Sequence, residues 1–330
     1  MLIILVLIGL IQKTAFADSE WQALDQKVQE LYATGNYAEA TQWAEKAYEV
    51  AIQRFAQSDP RVIRMSNNLA VLYENLGDLE AAIRFLEQAF NLSREYFGLS
   101  HPDALMIMRN LATNYQAQNQ SELLKRLYTE NLETLEQQLG EANSEYIVMV
   151  ANLADLHRTA GEFSESVPLF NRAVELSEIH LGNQNTNTIT IKNNYAQILF
   201  NQGRYSEAEL LMNEAIQLST SVRGATHPST ILYQHNLAQV HPFQGQLQLA
   251  LNNYAETLEQ SRQLLGDMHT TTLLLINSKA MLKMELGQFN DAERLFAESL
   301  SLRAKVFGKN HHWYANALNN MGLLKHEKDD

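Results

Sequence analysis

Asparagine recurs at a fixed spacing of 42 residues along the chain, and its side chain is suited to peptide recognition. The positions are Asn68, Asn110, Asn152, Asn194, Asn236 and Asn320, with Ser278 at the one step that lacks asparagine. Each carboxamide offers two N–H donors and an acceptor oxygen, which match the alternating N–H and C=O groups of an extended peptide. Asparagine is a mediocre helix former, so this regularity needs a cause. The alternative interpretation is that these amides bind the adjacent repeat and only set its stacking.

Two series of glycines indicate that the chain is built from repeats. One is Gly35, Gly77, Gly161, Gly203, Gly245 and Gly287, with Asn119 at the missing step; the other is Gly98, Gly140, Gly182, Gly224, Gly266 and Gly308. Glycine, and less readily asparagine, adopts the left-handed conformation that often ends a helix. Between these positions apolar residues recur at three- and four-residue steps. Each repeat is therefore predicted to be a hairpin of two amphipathic helices that buries its apolar face by stacking.

Two local departures from the repeat predict local changes in structure. In the third repeat Asn119, Leu124 and Asn131 replace a glycine and two alanines, so this hairpin should open or shift, with a local change of curvature. In the sixth repeat Pro242 falls late in a first helix and should kink that helix or end it early.

The repeats resemble the tetratricopeptide repeat (TPR), and within it the 42-residue variety of kinesin light chains. The shared marks are N-L-A-x-x-Y, the glycine between the helices, alanines five and twelve residues after that glycine, and a His-Pro opening as in His101-Pro102. The resemblance covers about Trp21 to Lys328. It implies an all-α, right-handed superhelical solenoid, with residues 18–330 forming seven hairpins and a closing helix. It also implies that the asparagine positions line the concave surface and hold an extended peptide.

Neighbouring positions on that expected surface differ between the early and the late repeats. The early repeats carry Arg64, Arg109 and Arg158, and the later ones carry Phe200, Leu232, Phe243, Leu274, Met281 and Met284. A groove that is basic at one end and apolar at the other would suit a segment with an acidic and a hydrophobic end. The alternative is that the arginines are ordinary solvated surface residues.

The N-terminus has the pattern of a secretory signal peptide. Leu2 to Ile11 are all apolar, and Ala15-Phe16-Ala17 provides small residues before a polar segment. Ten apolar residues are too few to span a bilayer as a helix, so cleavage after residue 17 is favoured over a retained anchor. With no cysteine in the chain, an exported protein of the periplasm or the medium is expected. Membrane association is expected only if this segment stays uncleaved.

Charge and motif content argue against several functions. The formal net charge of −13 disfavours nucleic acid as a partner. No phosphate-binding glycine loop, H-E-x-x-H or G-x-S-x-G is present, so no enzyme and no cofactor is expected. A metal site is not expected either, because the recurring histidines fall on different hairpins, where they should open helices: His101, His227, His269 and His311.

The sequence thus predicts a non-enzymatic interaction module that holds an extended segment of a partner protein in a concave groove. The alternative is a structural scaffold that uses convex or end surfaces to assemble an envelope complex or a homo-oligomer. The predicted binding residues are the six asparagines together with Arg64, Arg109, Arg158, Phe200 and Met281.

Overall fold

The computed structural model describes residues 19–309 and 311–329, and every regular element within them is a helix. The predicted signal peptide, residues 1–17, lies outside the described residues. The chain divides into two compact units, unit 1 up to Glu141 and unit 2 from Ala142 onward. The predicted fold class, an all-α solenoid of TPR-like hairpins, is confirmed.

Unit 1 contains six helices in its described part, joined by short turns. They are α1 (19–33), α2 (Tyr37–Arg54), α3 (Pro60–Leu76), α4 (Leu79–Phe97), α5 (Pro102–Ala117) and α6 (Ser121–Leu139). Odd-numbered helices are the first helices of their hairpins, and even-numbered helices are the second.

Unit 2 contains nine helices in its described part and follows the same alternation. They are α7 (Ser144–Thr159), α8 (Phe163–His180), α9 (Thr186–Asn201), α10 (Tyr205–Arg223), α11 (Pro228–Phe243), α12 (Leu247–Leu265), α13 (Thr270–Glu285), α14 (Phe289–Val306) and α15 (His312–Asp329). Helix α15 packs on α14 and has no second helix after it in the described chain.

The turn inside each hairpin depends on one left-handed residue, as predicted. Gly77 has φ 82° after α3, and Asn119 takes the same place after α5 with φ 55°. Asn119 is the only residue other than glycine with positive φ among the described residues. A residue with a β-carbon is strained in this conformation, and asparagine is among those that tolerate it best.

The residue just before each of several first helices caps the helix: its side chain accepts a hydrogen bond from a backbone N–H of the first turn. The Nδ1 atoms of His101, His227 and His269 each accept from the N–H two residues later, at 3.1 to 3.2 Å. Asp59 and Asn143 use side-chain oxygens in the same position. Each bond satisfies an amide that the helix itself leaves unpaired. The expectation that the recurring histidines open helices is confirmed.

The core of each hairpin is a row of buried alanines facing larger side chains. Fully buried alanines on the second helices include Ala40, Ala82, Ala208, Ala250 and Ala292. Large residues such as Phe170 and Phe296 are also fully buried. Small residues let the helix backbones approach closely, and the large ones fill the remaining volume.

The third hairpin is more open than the others. Helices α5 and α6 contact each other over less of their length than the paired helices of any other hairpin from α3 to α14. Leu124 and Asn131, which replace the usual alanines on α6, are both buried. Their larger volume holds the two helices apart, in agreement with the sequence-based expectation.

Pro242 does not end its helix early, so that part of the prediction is wrong. Helix α11 ends at Phe243, the same repeat position at which α9 ends at Asn201 and α13 at Glu285. Pro242 is the penultimate residue, where only the last turn is affected, and the backbone N–H of Gln246 closes that turn on the His241 carbonyl at 2.9 Å. Within the described residues no helix is long and apolar enough to cross a bilayer.

Candidate functional site

The asparagine column, the six asparagines and Ser278 at the shared repeat position, lies on the first helices. In unit 1 it contains Asn68 and Asn110, both partly exposed. In unit 2 Asn152 is exposed, Asn194, Ser278 and Asn320 are partly exposed, and Asn236 is buried. Within unit 2 the neighbouring first helices from α7 to α15 contact one another directly, which brings these side chains onto one face.

Several members of the column bind the preceding first helix through residues 43 positions earlier. Nδ2 of Asn236 donates to Oδ1 of Asn193 at 3.2 Å, and Nδ2 of Asn320 donates to Oδ1 of Asn277 at 2.8 Å. In unit 1, Asn110 makes a longer bond of 3.4 Å to Asn67. These bonds are the contacts that the stacking interpretation expects. They leave the second N–H of each donating amide for another partner.

His235 extends these bonds into a chain across three first helices. Its Nδ1 lies 3.3 Å from Oδ1 of Asn236, and its Nε2 lies 2.9 Å from Oγ of Ser278. Because the Asn236 oxygen can only accept, Nδ1 carries the proton and Nε2 accepts from the serine hydroxyl. Asn193 continues the chain by donating to Oδ1 of Asn194 at 3.2 Å. Burial lowers the pKa of His235 to about 4, since the charged imidazolium would be desolvated.

In two members of the column both the Oδ1 and the Nδ2 atom of the side chain are available to bind a ligand. Among the described residues Asn68 and Asn152 have no hydrogen-bond partner, and Asn152 is also exposed. Asn152 is therefore the member of the column best placed to bind a peptide backbone.

Apart from Arg109, the residues one position before the asparagine column, the preceding column, were not among the predicted binding residues. Its members are Asn67, Arg109, Ala151, Asn193, His235, Asn277 and Asn319. Three of these residues, Asn67, Asn193 and Asn277, accept the hydrogen bonds from the asparagine column of the next hairpin. The signal was available in the sequence, because four of the seven are also asparagine at a spacing of 42 or its multiples.

Arg64 lies beside Asn68 but is paired with a carboxylate. Its Nη2 lies 2.9 Å from Oδ2 of Asp25 on α1, and burial raises the pKa of Asp25 while Arg64 opposes that rise. Arg64 and Asn68 line a cleft of about 340 Å³ between α3 and α5, together with Met106 and Ile107. Half of the Arg64 side chain is still exposed.

The other two predicted arginines lie on the first helices α7 and α5. Arg158 donates from Nε to Oδ1 of Asp155, one turn earlier on α7, at 2.7 Å. Arg109 is exposed on α5 in unit 1. Because Arg64 and Arg158 are each neutralised by a carboxylate, their net contribution to a basic surface is small.

Three of the six apolar side chains predicted in the later repeats come together, and Leu232, Leu274 and Met284 do not line the same cleft. Phe200, Phe243 and Met281 line a cleft of about 390 Å³, the aromatic cleft, with Gln239, Asn277, Ser278 and Glu285 at its polar positions. The Phe200 and Phe243 ring centroids are 5.0 Å apart in an edge-on arrangement, and Tyr205 packs 5.3 Å from Phe243. Phe243 is 60% exposed. Exposed aromatic rings held by their neighbours offer apolar area for binding at little entropic cost.

The two helices beside the aromatic cleft, α9 and α11, carry almost no charge, whereas the exposed Glu285 lines the cleft from α13. Among Asp, Glu, Lys and Arg, helices α9 and α11 carry only Lys192, which is 1% exposed. The Lys192 ammonium donates to Asn183, and it pairs with Glu178 and Glu214 at 2.6 Å each. Burial alone would lower the pKa of Lys192, but the two glutamates raise it overall. Lys192 thus joins α8, α9 and α10 and has no free N–H for a ligand.

No group of histidine, aspartate and glutamate side chains in the described residues is arranged to hold a metal ion.

Comparisons with known proteins agree with this geometry. The family described as tetratricopeptide repeat matches residues 61–123, 187–263 and 270–330, and a second family of the same description matches 151–222. Tetratricopeptide repeats are generally non-enzymatic modules of protein–protein interaction. A search of curated proteins gives no match.

Solved structures share the fold at low sequence identity. A tetratricopeptide repeat protein from Parabacteroides merdae has 16% identity and a TM-score of 0.64, covering 92% of this chain and 99% of that one. The apo form of RapI has 13% identity and a TM-score of 0.64, covering 87% and 98%. A Rap protein complexed with competence and sporulation factor has 16% identity and a TM-score of 0.52, covering 87% and 76%.

Proposed function

The chain belongs to the tetratricopeptide repeat family, and we propose that its first-helix face in unit 2 binds an extended segment of a partner protein. The aromatic cleft takes an apolar side chain of that segment, and the amide of Asn152 binds its backbone. The observation that carries the proposal is an exposed aromatic cleft on the same face as the asparagine column.

The chemistry of this face narrows the partner to a segment that is apolar or uncharged where it meets α9 and α11. The surroundings of Phe200 and Phe243 provide no exposed charge on these helices to pair with a charged side chain. Burying a charged group there without a partner would be unfavourable. A Rap protein of similar fold has been solved in complex with competence and sporulation factor, which supports a binding role for a protein of this fold.

The test begins with a library of displayed peptides selected on the full chain. The best peptide is labelled, and its affinity is measured by fluorescence polarisation for the wild type and for Phe243→Ser. Losing the contact of one large aromatic side chain should weaken binding by at least about tenfold. Asn152→Ala should weaken it by about fivefold, the effect of one hydrogen bond.

The matched control is Leu210→Ser, which also removes an exposed apolar side chain but from the second helix α10, where Leu210 is 72% exposed. Binding of the selected peptide should change by less than about twofold, because an exposed residue away from the contact contributes little. If Leu210→Ser abolished binding and Phe243→Ser did not, the second-helix surface would be the interaction surface. That result would favour the scaffold alternative.

We also propose that the chain is exported and that its partner is a protein and not a nucleic acid. The apolar segment Leu2 to Ile11 and the small residues before Asp18 support export, and the net charge of −13 supports the choice of partner. Mass spectrometry of the protein from its host should give an N-terminus at Asp18. An intact N-terminus at Met1 would contradict cleavage.

A further inference from the structure

One repeat of unit 2 breaks the apolar pattern of its first helix with two lysines. Lys279 on α13 stands at the repeat position held by Leu111, Leu153 and Leu237 elsewhere. Lys283 stands at the position that is Tyr115 in the third repeat. A local break from the repeat pattern that brings no structural gain, as at Lys279, is where a functional site is expected.

The two lysines line a cleft between α12, α13 and α14, the lysine cleft. Its volume is about 600 Å³, within the range of small-molecule sites. Its apolar wall consists of Leu251, Ala255 and Leu295, and its polar wall also includes Asn252, Asp291, Arg294 and Glu298. The lysine cleft shares no residue with the aromatic cleft, which uses Ser278 and Met281 of the same helix. The two clefts are therefore separate.

The other charged groups of the lysine cleft already have partners. Lys283 lies 3.3 Å from Oδ2 of Asp291 and also donates to Gln288. Arg294 pairs with Asp291. Glu298 accepts from Arg262 on α12. Neither carboxylate is therefore left to neutralise a further cation.

Lys279 is the charged residue of the lysine cleft whose ammonium group has no ion-pair partner among the described residues. Within the described residues it makes no hydrogen bond or ion pair, although its side chain is partly buried. Burial lowers the pKa of Lys279, and the positive charges of Lys283 and Arg262 lower it further, while Asp291 and Glu259 partly oppose the shift. A partly desolvated ammonium without an ion-pair partner is stabilised by an incoming anion.

We propose that the lysine cleft binds a small organic anion. Its single carboxylate or phosphate group pairs with the Nζ atom of Lys279, and its apolar body lies against Leu251, Ala255 and Leu295. This site is independent of the peptide-binding face, so its test does not depend on the proposed function.

The test uses isothermal titration calorimetry on the full chain in low-salt buffer, with phenyl phosphate, benzoate and inorganic phosphate as probes. Lys279→Leu is the decisive variant, because leucine is the residue that other repeats carry there and the fold should tolerate it. Losing the ion pair should weaken the binding of phenyl phosphate or benzoate, whichever binds the wild type more tightly, by at least about tenfold. Which of the two organic probes binds more tightly identifies the anionic group.

Lys305→Leu is the matched control, since Lys305 is an exposed lysine on α14 outside the cleft. It changes the net charge equally and should alter affinity by less than about twofold. The proposal is overturned if the wild type takes up neither organic probe, or if Lys279→Leu binds as the wild type does. Inorganic phosphate bound as tightly as phenyl phosphate would also overturn it, because the apolar wall would then have no role.

Discussion

The asparagine column recurs in both units, with Ser278 replacing one asparagine in unit 2, but its hydrogen bonds differ between them. In unit 2, Asn236 and Asn320 bind the preceding first helix at 3.2 and 2.8 Å, and His235 continues the chain to Ser278. In unit 1 the equivalent bond, from Asn110 to Asn67, is 3.4 Å long. Asn68 has no hydrogen-bond partner among the described residues. The comparison teaches that one recurring residue can serve stacking in one region and remain available for binding in another.

The largest expected effect concerns pH and unit 2. The pKa of His235 is lowered to about 4 in the folded chain, whereas an unfolded histidine titrates near about 6.5. The unfolded state therefore binds more protons between these values, and stability is lost as pH falls through that interval, by up to about 3 kcal/mol. Urea unfolding at several pH values measures the loss. His235→Asn, which installs the residue found at 67, 193 and 277, should lose less over the same interval; an equal loss would contradict the role of His235.

The next effect is the loss of a buried amide. Asn236→Ala leaves the oxygen of Asn193 and the Nδ1–H of His235 without partners in a buried site, which should cost about 2 kcal/mol. Hydrogen exchange should show reduced protection in α9 and α11. Unchanged protection there would mean that the bonds between first helices add nothing to the stability of unit 2.

A third experiment adds a bond where unit 2 lacks one. The residue 43 positions before Asn194 is Ala151, which offers no side-chain acceptor. Ala151→Asn should supply it and stabilise unit 2 by about 1 kcal/mol, measured by urea unfolding. Ala151→Leu adds volume without an acceptor and should not stabilise. Equal effects of the two substitutions would show that the preceding column does not determine the bond.

The smallest effect on stability is expected at Asn152. Because this amide is exposed and unbonded among the described residues, Asn152→Ala should change the free energy of unfolding by less than about 0.5 kcal/mol. Peptide affinity should nevertheless fall, as described above. A stability loss as large as that of Asn236→Ala would remove the distinction between the two kinds of asparagine.

Much of the fold could be predicted because it depends on local chemistry. The left-handed turn at Gly77 and at Asn119, and the helix openings at His101 and His227, follow from residue type. The open third hairpin followed from the volume of Leu124. The prediction that Pro242 ends its helix early was wrong because the position of the last turn could not be read to within one residue.

The candidate site was predicted less completely. Phe200 and Met281 were identified and do meet in one cleft, since their repeat positions place them on one face. The ion pair of Arg64 with Asp25 was missed because it joins different helices, and so was the lysine cleft, whose walls come from three helices.

The sequence by itself determined the 42-residue repeat, the helices and their turns, because each depends on residues close together in the chain. Only the tertiary structure decided which asparagines are bonded, because the bonding partner lies 43 residues away on a neighbouring helix. It also decided that Lys279 lies in a cleft where it makes no ion pair with any described residue. Such contacts depend on how closely stacked helices approach, and that distance is set by the packing of many side chains together.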